Sequence, residues 1–270
     1  MNPLDGHSQL GLIGATGYVG TTLLRQASFA SRFRSTNMNE VGRERVDTMV
    51  CAAAPAQKWI ANREPEADRT NIETLIGNLE SVECRTFVLI STIDVFARAD
   101  GVDEASPVQE DGLHAYGLHR RLLEKFVASR FERHLIVRLP GLVGPGLRKN
   151  VIYDFLNDNA LHAIDSRGVF QFYPMVNLWR DIECALSLDL ELVHLTAEPL
   201  SVADVSLKGF GKPFTNTLAN HAASYDMQTR HAEAFGGRGR YQYSRRESVQ
   251  AIRAYAQSEP RAVKVAGAKP

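Results

Sequence analysis

The chain has 270 residues, of which 44% are apolar, and its 31 basic side chains balance 31 acidic ones. This length and apolar content are enough for a sizeable core, which argues against a disordered chain. The balanced charge argues against nucleic acid or an anionic membrane as a partner, so we expect a small-molecule partner.

The three cysteines, Cys51, Cys84 and Cys184, are far apart and form no CxxC pair. This usage is typical of a reduced compartment, and we expect a cytoplasmic protein. No apolar run approaches the roughly 20 residues that cross a bilayer, and the opening MNPLDGHSQ lacks a basic-then-apolar signal pattern. The sequence therefore predicts a soluble, unprocessed protein.

The first half of the chain alternates between strand and helix patterns. It opens with SQLGLIGATGYVGTTLLRQASF, an apolar strand, a glycine turn and an amphipathic helix. Further strands are predicted at 33–36, 46–54, 85–96 and 134–140, and helices at 65–79 and from Tyr116 onward. Such alternation predicts an α/β fold with a doubly wound parallel sheet and right-handed crossovers.

The glycine turn contains Gly14, Gly17 and Gly20 in a GxxGxxG pattern, directly after a strand and at the start of a helix. In a dinucleotide-binding turn the first glycine makes the turn, the second admits a pyrophosphate, and the third lets helix and strand pack closely. Phosphate then sits on free amides at the helix N-terminus. We therefore predict a Rossmann-type cofactor site, with Thr16 and Tyr18 beside it, although an ordinary strand-to-helix turn also uses glycines.

The zone roughly 20 residues beyond this turn reads RFRSTNMNE and holds no acid before Glu40. A carboxylate there would bind the free ribose diol of NAD, whereas Arg34 and Ser35 suit a 2′-phosphate. The segment favours NADP over NAD, and the alternative that these are solvated strand-end residues stays open.

After Pro140 the pattern changes to a Gly/Pro-rich loop and then to mixed elements, with a strand in VFQFYPM and helices at 178–190 and 245–255. We predict a dinucleotide-binding domain over residues 1–145, a smaller substrate-covering region over 146–258, and a disordered tail over 259–270. The stretch 207–239 shows no pattern that predicts a role.

Five segments occur in a familiar order: GATGYVG, the AAA at 52–54, ISTIDVF, YGLHR and VRLPGLVGPG. Together they resemble the extended short-chain dehydrogenase/reductase superfamily, closest to its nucleotide-sugar epimerases, dehydratases and 4-keto-reductases. The resemblance spans Leu10 to about Asn150. It implies an NAD(P)-dependent enzyme acting on a nucleotide-linked sugar, with Ala53, Ala54 and Ser91 beside the cofactor.

The resemblance also implies catalytic roles for three residues. The Thr92 hydroxyl would hydrogen-bond the substrate oxygen and Tyr116 would move the proton, while Arg120 occupies the lysine position of YxxxK. A tyrosine pKa is about 10, and a cation one helical turn away favours the phenolate. Arginine can supply that charge and hold ribose hydroxyls, but it stays protonated and cannot relay a proton.

The resemblance places four further residues at the substrate. Asp94 stands where the dehydratases carry a glutamate, but Ile93 replaces the acid before it, which argues against dehydration. Asp94 would bind a sugar hydroxyl or cap its loop. The loop that carries Arg148, Lys149 and Asn150 would meet the nucleotide diphosphate, a role that suits cations, although a solvated turn is an alternative.

Three functions stay open. The leading one is an NADP-preferring keto-sugar reductase, the second an NAD-dependent epimerase, and the third a sensor or scaffold that kept the cofactor fold without catalysis. Arg120 and the short span from Gly20 to Val46 favour the third. The helices at 65–79 and 116–131 would serve a homodimer or the sheet equally. Eight histidines without an HxxxH or HExxH pair predict no metal site.

Overall fold

The structure is a computed structural model that describes residues 9–262. Its strands are β1 (Leu10–Ile13), β2 (Ser31–Phe33), β3 (Val46–Cys51), β4 (Cys84–Thr92), β5 (Asp100–Val102), β6 (His134–Leu139), β7 (Gly141–Val143), β8 (Val169–Phe170), β9 (Phe172–Pro174), β10 (Leu192–His194), β11 (Leu200–Ser201) and β12 (Asp226–Met227). Its α-helices are α1 (Tyr18–Gln26), α2 (Lys58–Arg63), α3 (Pro65–Leu79), α4 (Ala115–Arg130), α5 (Val151–Asn157), α6 (Leu178–Ser187), α7 (Val202–Asp204) and α8 (Arg245–Ser258). Short 3-10 helices span Met38–Arg43, Ile93–Val95, Leu161–Ala163, Met175–Asn177 and Ala232–Phe235, and a π-helix spans Val205–Gly209.

Six strands form one parallel sheet in the order β10-β6-β4-β3-β1-β2. Successive residues of β1 point to opposite faces. Leu12 packs with α1 and α6, while Ile13 packs with α3 and α4. Because helices cover both faces, the central strands are continuous apolar runs rather than alternating ones. The predicted α/β, doubly wound parallel sheet is confirmed.

The strand order reverses at β1, which has β2 on one side and β3 on the other. Chains of this class bind ligands in the crevice at the carboxyl ends of the strands where this reversal occurs. The connection from β2 to β3 holds the 3-10 helix Met38–Arg43 rather than a further strand. The switch point therefore brings the glycine turn next to the residues that follow β3.

Residues beyond 146 contribute to both parts of the molecule. Strand β10 pairs with β6 and α6 packs on the main sheet, whereas α5 and α8 enclose a separate apolar cluster with Phe172 and Leu200. The domain boundary at 146 stays a prediction. Of the predicted tail, residues 263–270 lie outside the described part of the chain. No helix within 9–262 is long and apolar enough to cross a membrane.

The local pattern predicted several elements closely. Helix α3 has the predicted bounds, with Pro65 at its first turn. The strand predicted over 85–96 ends at Thr92, because the Thr92 hydroxyl accepts a hydrogen bond from the Asp94 amide and starts the 3-10 helix Ile93–Val95. Helix α2 is an addition that the sequence pattern did not predict.

Candidate active site

At two of the three glycines of the glycine turn, close packing of the backbone leaves no room for a side chain. Gly14 has φ +88°, and a Cβ there would lie 2.5 Å from the carbonyl oxygen of Ala52. A Cβ on Gly20 would overlap the carbonyl oxygen of Gly14. Gly17 is different, because the nearest heavy atom to its Cβ position is 3.5 Å away and the residue is exposed. Its openness leaves room over the start of α1.

That opening fits the phosphates of a dinucleotide. Gly17 caps α1 without a side-chain hydrogen bond, so the first amides of the helix are not covered by a capping group. Thr16 is exposed beside it, and the Ala53 backbone, just after β3, lies against Gly14. Free amides at a helix N-terminus attract anions.

The end of β2 lies against the same turn. The carbonyl oxygen of Phe33 accepts hydrogen bonds from the amides of Gly14 (2.9 Å) and Ala15 (3.1 Å). Arg34 and Ser35 follow directly and are exposed. The two residues predicted to hold a 2′-phosphate therefore stand at the edge of the predicted cofactor crevice.

Tyr18 links the glycine turn to the loop after β7. Its phenol donates a hydrogen bond to the carbonyl oxygen of Gly144 (3.2 Å), and burial raises its pKa. The side chain thus holds two loops of the crevice together.

Three contacts position the start of α4. The ring of His114 caps the helix by accepting from the Gly117 amide (3.0 Å), and the Tyr116 amide donates to Asn62 Oδ1 (3.0 Å). A Cβ on Gly117 would overlap the carbonyl oxygen of Asp94. Glycine at this position therefore lets α4 approach the end of β4 closely, which brings Tyr116 to that strand end.

Tyr116 is 8% exposed, and α4 places it beside Thr92 at the end of β4. The pKa of the phenol is raised, first by burial and then by the charge of Asp94. Arg120, Thr92 and Lys58 act in the opposite direction but are outweighed. Arg120 therefore lowers the Tyr116 pKa, as expected, but the pKa is raised overall and the phenol is protonated at neutral pH.

Arg120 is 2% exposed and is held by groups outside its own helix. Its guanidinium carbon lies 4.0 Å from the centre of the Tyr116 ring. The guanidinium donates to the Asp68 carboxylate on α3 and to the carbonyl oxygen of Pro55, and His119 Nδ1 lies 2.7 Å from the same carboxylate. Arg120 thus supports the face of the Tyr116 ring, and its predicted contact with ribose stays a prediction.

Two residues at the site were missed by sequence reasoning. Lys58 Nζ, at the start of α2, lies 2.7 Å from Asp94 Oδ1 and 3.1 Å from the Tyr225 hydroxyl, which itself lies 3.3 Å from Asp94 Oδ1. Burial disfavours the Lys58 ammonium, but Asp94 outweighs it and raises the Lys58 pKa. The position of Lys58 just after β3 is a signal that could have found it. Tyr225 lies in the stretch 207–239 and carries no such signal.

Ser91 was predicted to lie beside the cofactor, but its side chain points to Glu124. It is buried, and its hydroxyl donates to Glu124 Oε1 (2.6 Å). Arg138 on β6 binds both oxygens of the same carboxylate, through Nε (2.9 Å) and Nη2 (2.7 Å). The Ser91 side chain is therefore engaged with a buried ion pair between the sheet and α4.

The loop that was predicted to bind the substrate, through Arg148, Lys149 and Asn150, is only partly directed to the site. Lys149 donates to the carbonyl oxygen of Ala56, and the pKa of its ammonium is lowered by local desolvation and then by Arg120, although the residue as a whole is exposed. Asn150 caps α5 by accepting from the Ile152 amide (2.9 Å). Arg148 is exposed. Lys149 therefore lies near Arg120 and Asp94, while Asn150 has a structural contact.

No protein-family model and no curated protein matches the chain. Solved structures match over nearly the whole of both chains. The Bordetella bronchiseptica enzyme WbmG in complex with NAD is 15% identical, with a TM-score of 0.73 over 94% of this chain and 96% of that chain. The Bacillus anthracis dTDP-4-dehydrorhamnose reductase in complex with NADP is 18% identical, with a TM-score of 0.70 over 92% and 98%.

A third match is the Streptomyces venezuelae dTDP-glucose 4,6-dehydratase with NAD bound, 16% identical, with a TM-score of 0.70 over 93% of this chain and 97% of that chain. At these identities the matches show the fold. The protein has the Rossmann-type fold of these enzymes, as the sequence resemblance predicted. Within residues 9–262, no cluster of three or more His, Cys, Asp or Glu side chains could hold a metal ion.

Proposed function

We propose that the protein is an NADP-preferring oxidoreductase that reduces a carbonyl carbon, with a nucleotide-linked sugar as its substrate class. The observation that carries the proposal is the position of Tyr116 beside Thr92 at the carboxyl end of β4, where Gly117 lets α4 approach the strand end closely. This pair lies on the same edge of the sheet as the open glycine turn. The reductase of known structure with NADP bound supports the choice within this fold.

The residues present fit a nicotinamide dinucleotide. The amides at the start of α1 would hold its phosphates, Ala53 and Ala54 would line its path, and Arg34 with Ser35 would hold the 2′-phosphate of NADP. A bound nicotinamide supplies the hydride for carbonyl reduction.

The protein's own groups supply the proton and the orientation. Tyr116 keeps its proton at neutral pH because its pKa is raised, so it can donate to the substrate oxygen as hydride arrives. The Thr92 hydroxyl hydrogen-bonds the same oxygen, and Arg120 holds the Tyr116 ring in place. Arg148 and Lys149 would attract the substrate diphosphate at the rim. Cytoplasmic location and a homodimer through α3 and α4 stay predictions from the sequence.

The first experiment is calorimetric titration of the protein with NADPH and NADH. We expect NADPH to bind more tightly and Arg34→Ala to weaken NADPH alone by roughly tenfold, or about 1.4 kcal/mol. Arg45→Ala is the matched control, because Arg45 precedes β3 at the opposite edge of the sheet and pairs with Glu83. Tighter NADH binding, with cofactor that survives dialysis, would favour the epimerase instead.

The catalytic step is tested with a panel of 4-keto sugar nucleotides and NADPH. Tyr116→Phe should lower turnover by roughly 10²- to 10⁴-fold while NADPH affinity is unchanged, because the variant lacks only the donated proton. Retained turnover in this variant would overturn the mechanism. Failure of the wild-type chain to bind either dinucleotide would favour the sensor or scaffold function.

A further inference from the structure

Three polar side chains from distant parts of the chain meet just beyond the carboxyl end of β4. Lys58 Nζ lies 2.7 Å from Asp94 Oδ1 and 3.1 Å from the Tyr225 hydroxyl, which lies 3.3 Å from the same Asp94 oxygen. The carbonyl oxygen of Asp94 packs against Gly117, directly after Tyr116. Ligands of this fold bind at the carboxyl ends of the strands, where a few convergent polar groups fix their orientation. The three side chains therefore stand where a substrate would be oriented.

Each of the three side chains is held by the structure around it. Lys58 is the first residue of α2. The Asp94 amide donates a hydrogen bond to the Thr92 hydroxyl (3.2 Å). The ring of Tyr225 stacks on that of Phe170, with the ring centres 5.5 Å apart. Because the polar groups are positioned in advance, they need little rearrangement to bind a ligand.

The hydrogen bonds within the cluster leave one donor and one acceptor for a ligand. An ammonium has three N–H donors, and Lys58 directs two of them to Asp94 and Tyr225. Asp94 Oδ1 accepts from both of these partners. Asp94 Oδ2 has only a long contact within residues 9–262, 3.5 Å from Thr92 Oγ1. One Lys58 N–H and the Oδ2 lone pairs are therefore left to a ligand by the described part of the chain.

The charges of the cluster select the kind of group that binds there. The Lys58 side chain is 36% exposed and that of Asp94 is 16% exposed, so a ligand can reach both. A phosphate or carboxylate would be attracted by Lys58 but repelled by Asp94. A neutral hydroxyl can accept from the Lys58 ammonium and donate to Asp94 Oδ2 at the same time. The cluster therefore fits a hydroxyl better than an anion.

We propose that Lys58, Asp94 and Tyr225 bind a sugar hydroxyl on the carbon next to the reacting carbonyl, an inference that rests on the proposed reductase function. Thr92, proposed to contact the reacting oxygen, has its Oγ1 3.5 Å from Asp94 Oδ2. Groups this close hold ligand oxygens on neighbouring carbons. Lys58 donates to the hydroxyl, Asp94 accepts from it, and Tyr225 holds the ion pair in position. Lys58 and Tyr225 are thus specificity-determining residues, and a keto sugar with a hydroxyl beside the carbonyl is the preferred substrate.

The test compares a 4-keto sugar nucleotide that carries a hydroxyl at carbon 3 with its 3-deoxy analogue. The wild-type kcat/KM should be roughly 10- to 100-fold lower for the analogue, because a hydrogen bond to charged groups is lost. Lys58→Met should lower kcat/KM for the hydroxylated substrate by a similar factor, and for the analogue by less than about threefold. Tyr225→Phe, which keeps the ring and removes the hydroxyl, should show the same selectivity at roughly 3- to 10-fold.

Binding measurements separate a substrate contact from a structural role. With NADP bound, calorimetry should show that Lys58→Met weakens the hydroxylated keto sugar nucleotide and leaves the affinity for the 3-deoxy analogue unchanged. The NADPH affinity and the urea midpoint should stay at wild-type values in Tyr225→Phe. Lys125→Met, which removes an exposed lysine paired with Glu110, is the matched control and should equal the wild type on both substrates.

The outcomes are distinct. Equal losses on the two substrates in Lys58→Met and Tyr225→Phe would make the cluster structural and overturn the inference. A wild-type chain that reduces both substrates equally well would overturn it too, while leaving the reductase function in place. A wild-type chain that binds no dinucleotide, or binds NADPH and reduces neither substrate, would overturn the proposed function and this inference with it.

Discussion

Two clusters of charge each include a residue of α4, and they differ in their access to water. The open cluster consists of Lys58, Asp94, Thr92, Tyr116 and Tyr225. The enclosed cluster consists of Ser91, Glu124, Arg138 and His194. Glu124 is 0% exposed and Arg138 is 2% exposed, whereas the Lys58 side chain is 36% exposed. The open cluster therefore reaches water at Lys58, whereas Glu124 and Arg138 are enclosed.

The difference teaches what each cluster can do. In the enclosed cluster Arg138 binds both oxygens of Glu124 and Ser91 donates to one of them. Burial disfavours the Glu124 carboxylate, but these partners, together with Arg121, outweigh it and lower the Glu124 pKa. A fully paired buried group does not exchange protons readily, so the enclosed cluster joins α4 to the sheet. The open cluster keeps the Lys58 amine in contact with water, as a catalytic site requires.

The largest expected effect is on stability, from Glu124→Gln. The change leaves the Arg138 charge buried without its carboxylate, which costs about 3–5 kcal/mol in comparable buried pairs. The free energy of unfolding in urea measures it. Glu110→Gln, which removes a partly exposed partner of Lys125, should cost less than about 1 kcal/mol. Equal losses of unfolding free energy in the two variants would show that burial does not make the Glu124 pair more important for stability than the exposed Glu110 pair.

The second effect is acid destabilisation through His194. Its Nδ1 lies 2.9 Å from the carbonyl oxygen of Gln228, and its Nε2 lies 3.3 Å from Arg138 Nη1. Burial, together with Arg138, lowers its pKa to about 4, although Glu104 and Glu124 act in the opposite direction. Between about pH 4 and 6.5, the His194 ring is therefore neutral in the folded protein but protonated in the unfolded chain.

Because the folded pKa is depressed, this stability is fully present above about pH 6.5 and is lost as pH falls toward about 4. The free energy of unfolding should fall by up to about 3 kcal/mol across that range. Urea titrations at several pH values measure it, and His194→Asn should flatten the profile while the exposed His162→Asn should not. An unchanged slope in His194→Asn would contradict the assignment.

The smallest effect on stability is expected in the open cluster, from Asp94→Asn. Because Lys58 is partly exposed, its unpaired charge should cost less than about 1 kcal/mol of unfolding free energy. The same change should be visible in the pH profile. Asp94 raises the Tyr116 pKa, so its removal should move the basic limb of keto-sugar reduction to lower pH, at a reduced rate. A limb that stays in place or moves to higher pH would contradict the link between Asp94 and Tyr116.

The features predicted from the sequence are those that depend on local spacing. Helix α3 follows from apolar residues at helical spacing between Ile72 and Leu79, with Pro65 at its first turn. The central strands follow from continuous apolar runs, and the glycine turn from three glycines at fixed intervals. The pairing of Thr92 with Tyr116 came from the order of motifs, and in the structure α4 brings Tyr116 to the end of β4, where Thr92 lies.

The features that were not predicted depend on contacts between distant parts of the chain. Arg120 turns toward Asp68, 52 positions away, and not toward open solvent. Lys58 reaches Asp94 across 36 positions, and Tyr225 reaches Lys58 across 167. None of these pairs has a sequence spacing that a helix or strand period would reveal.

The sequence by itself determined the alternation of strands and helices, the glycine turn and the residue types proposed for catalysis, because each depends on neighbouring residues and backbone conformation. Tertiary structure alone decided which cations accompany Tyr116, which carboxylates are enclosed, and which reach water. The physical reason is that burial and charge act through space, and the folded chain sets those distances.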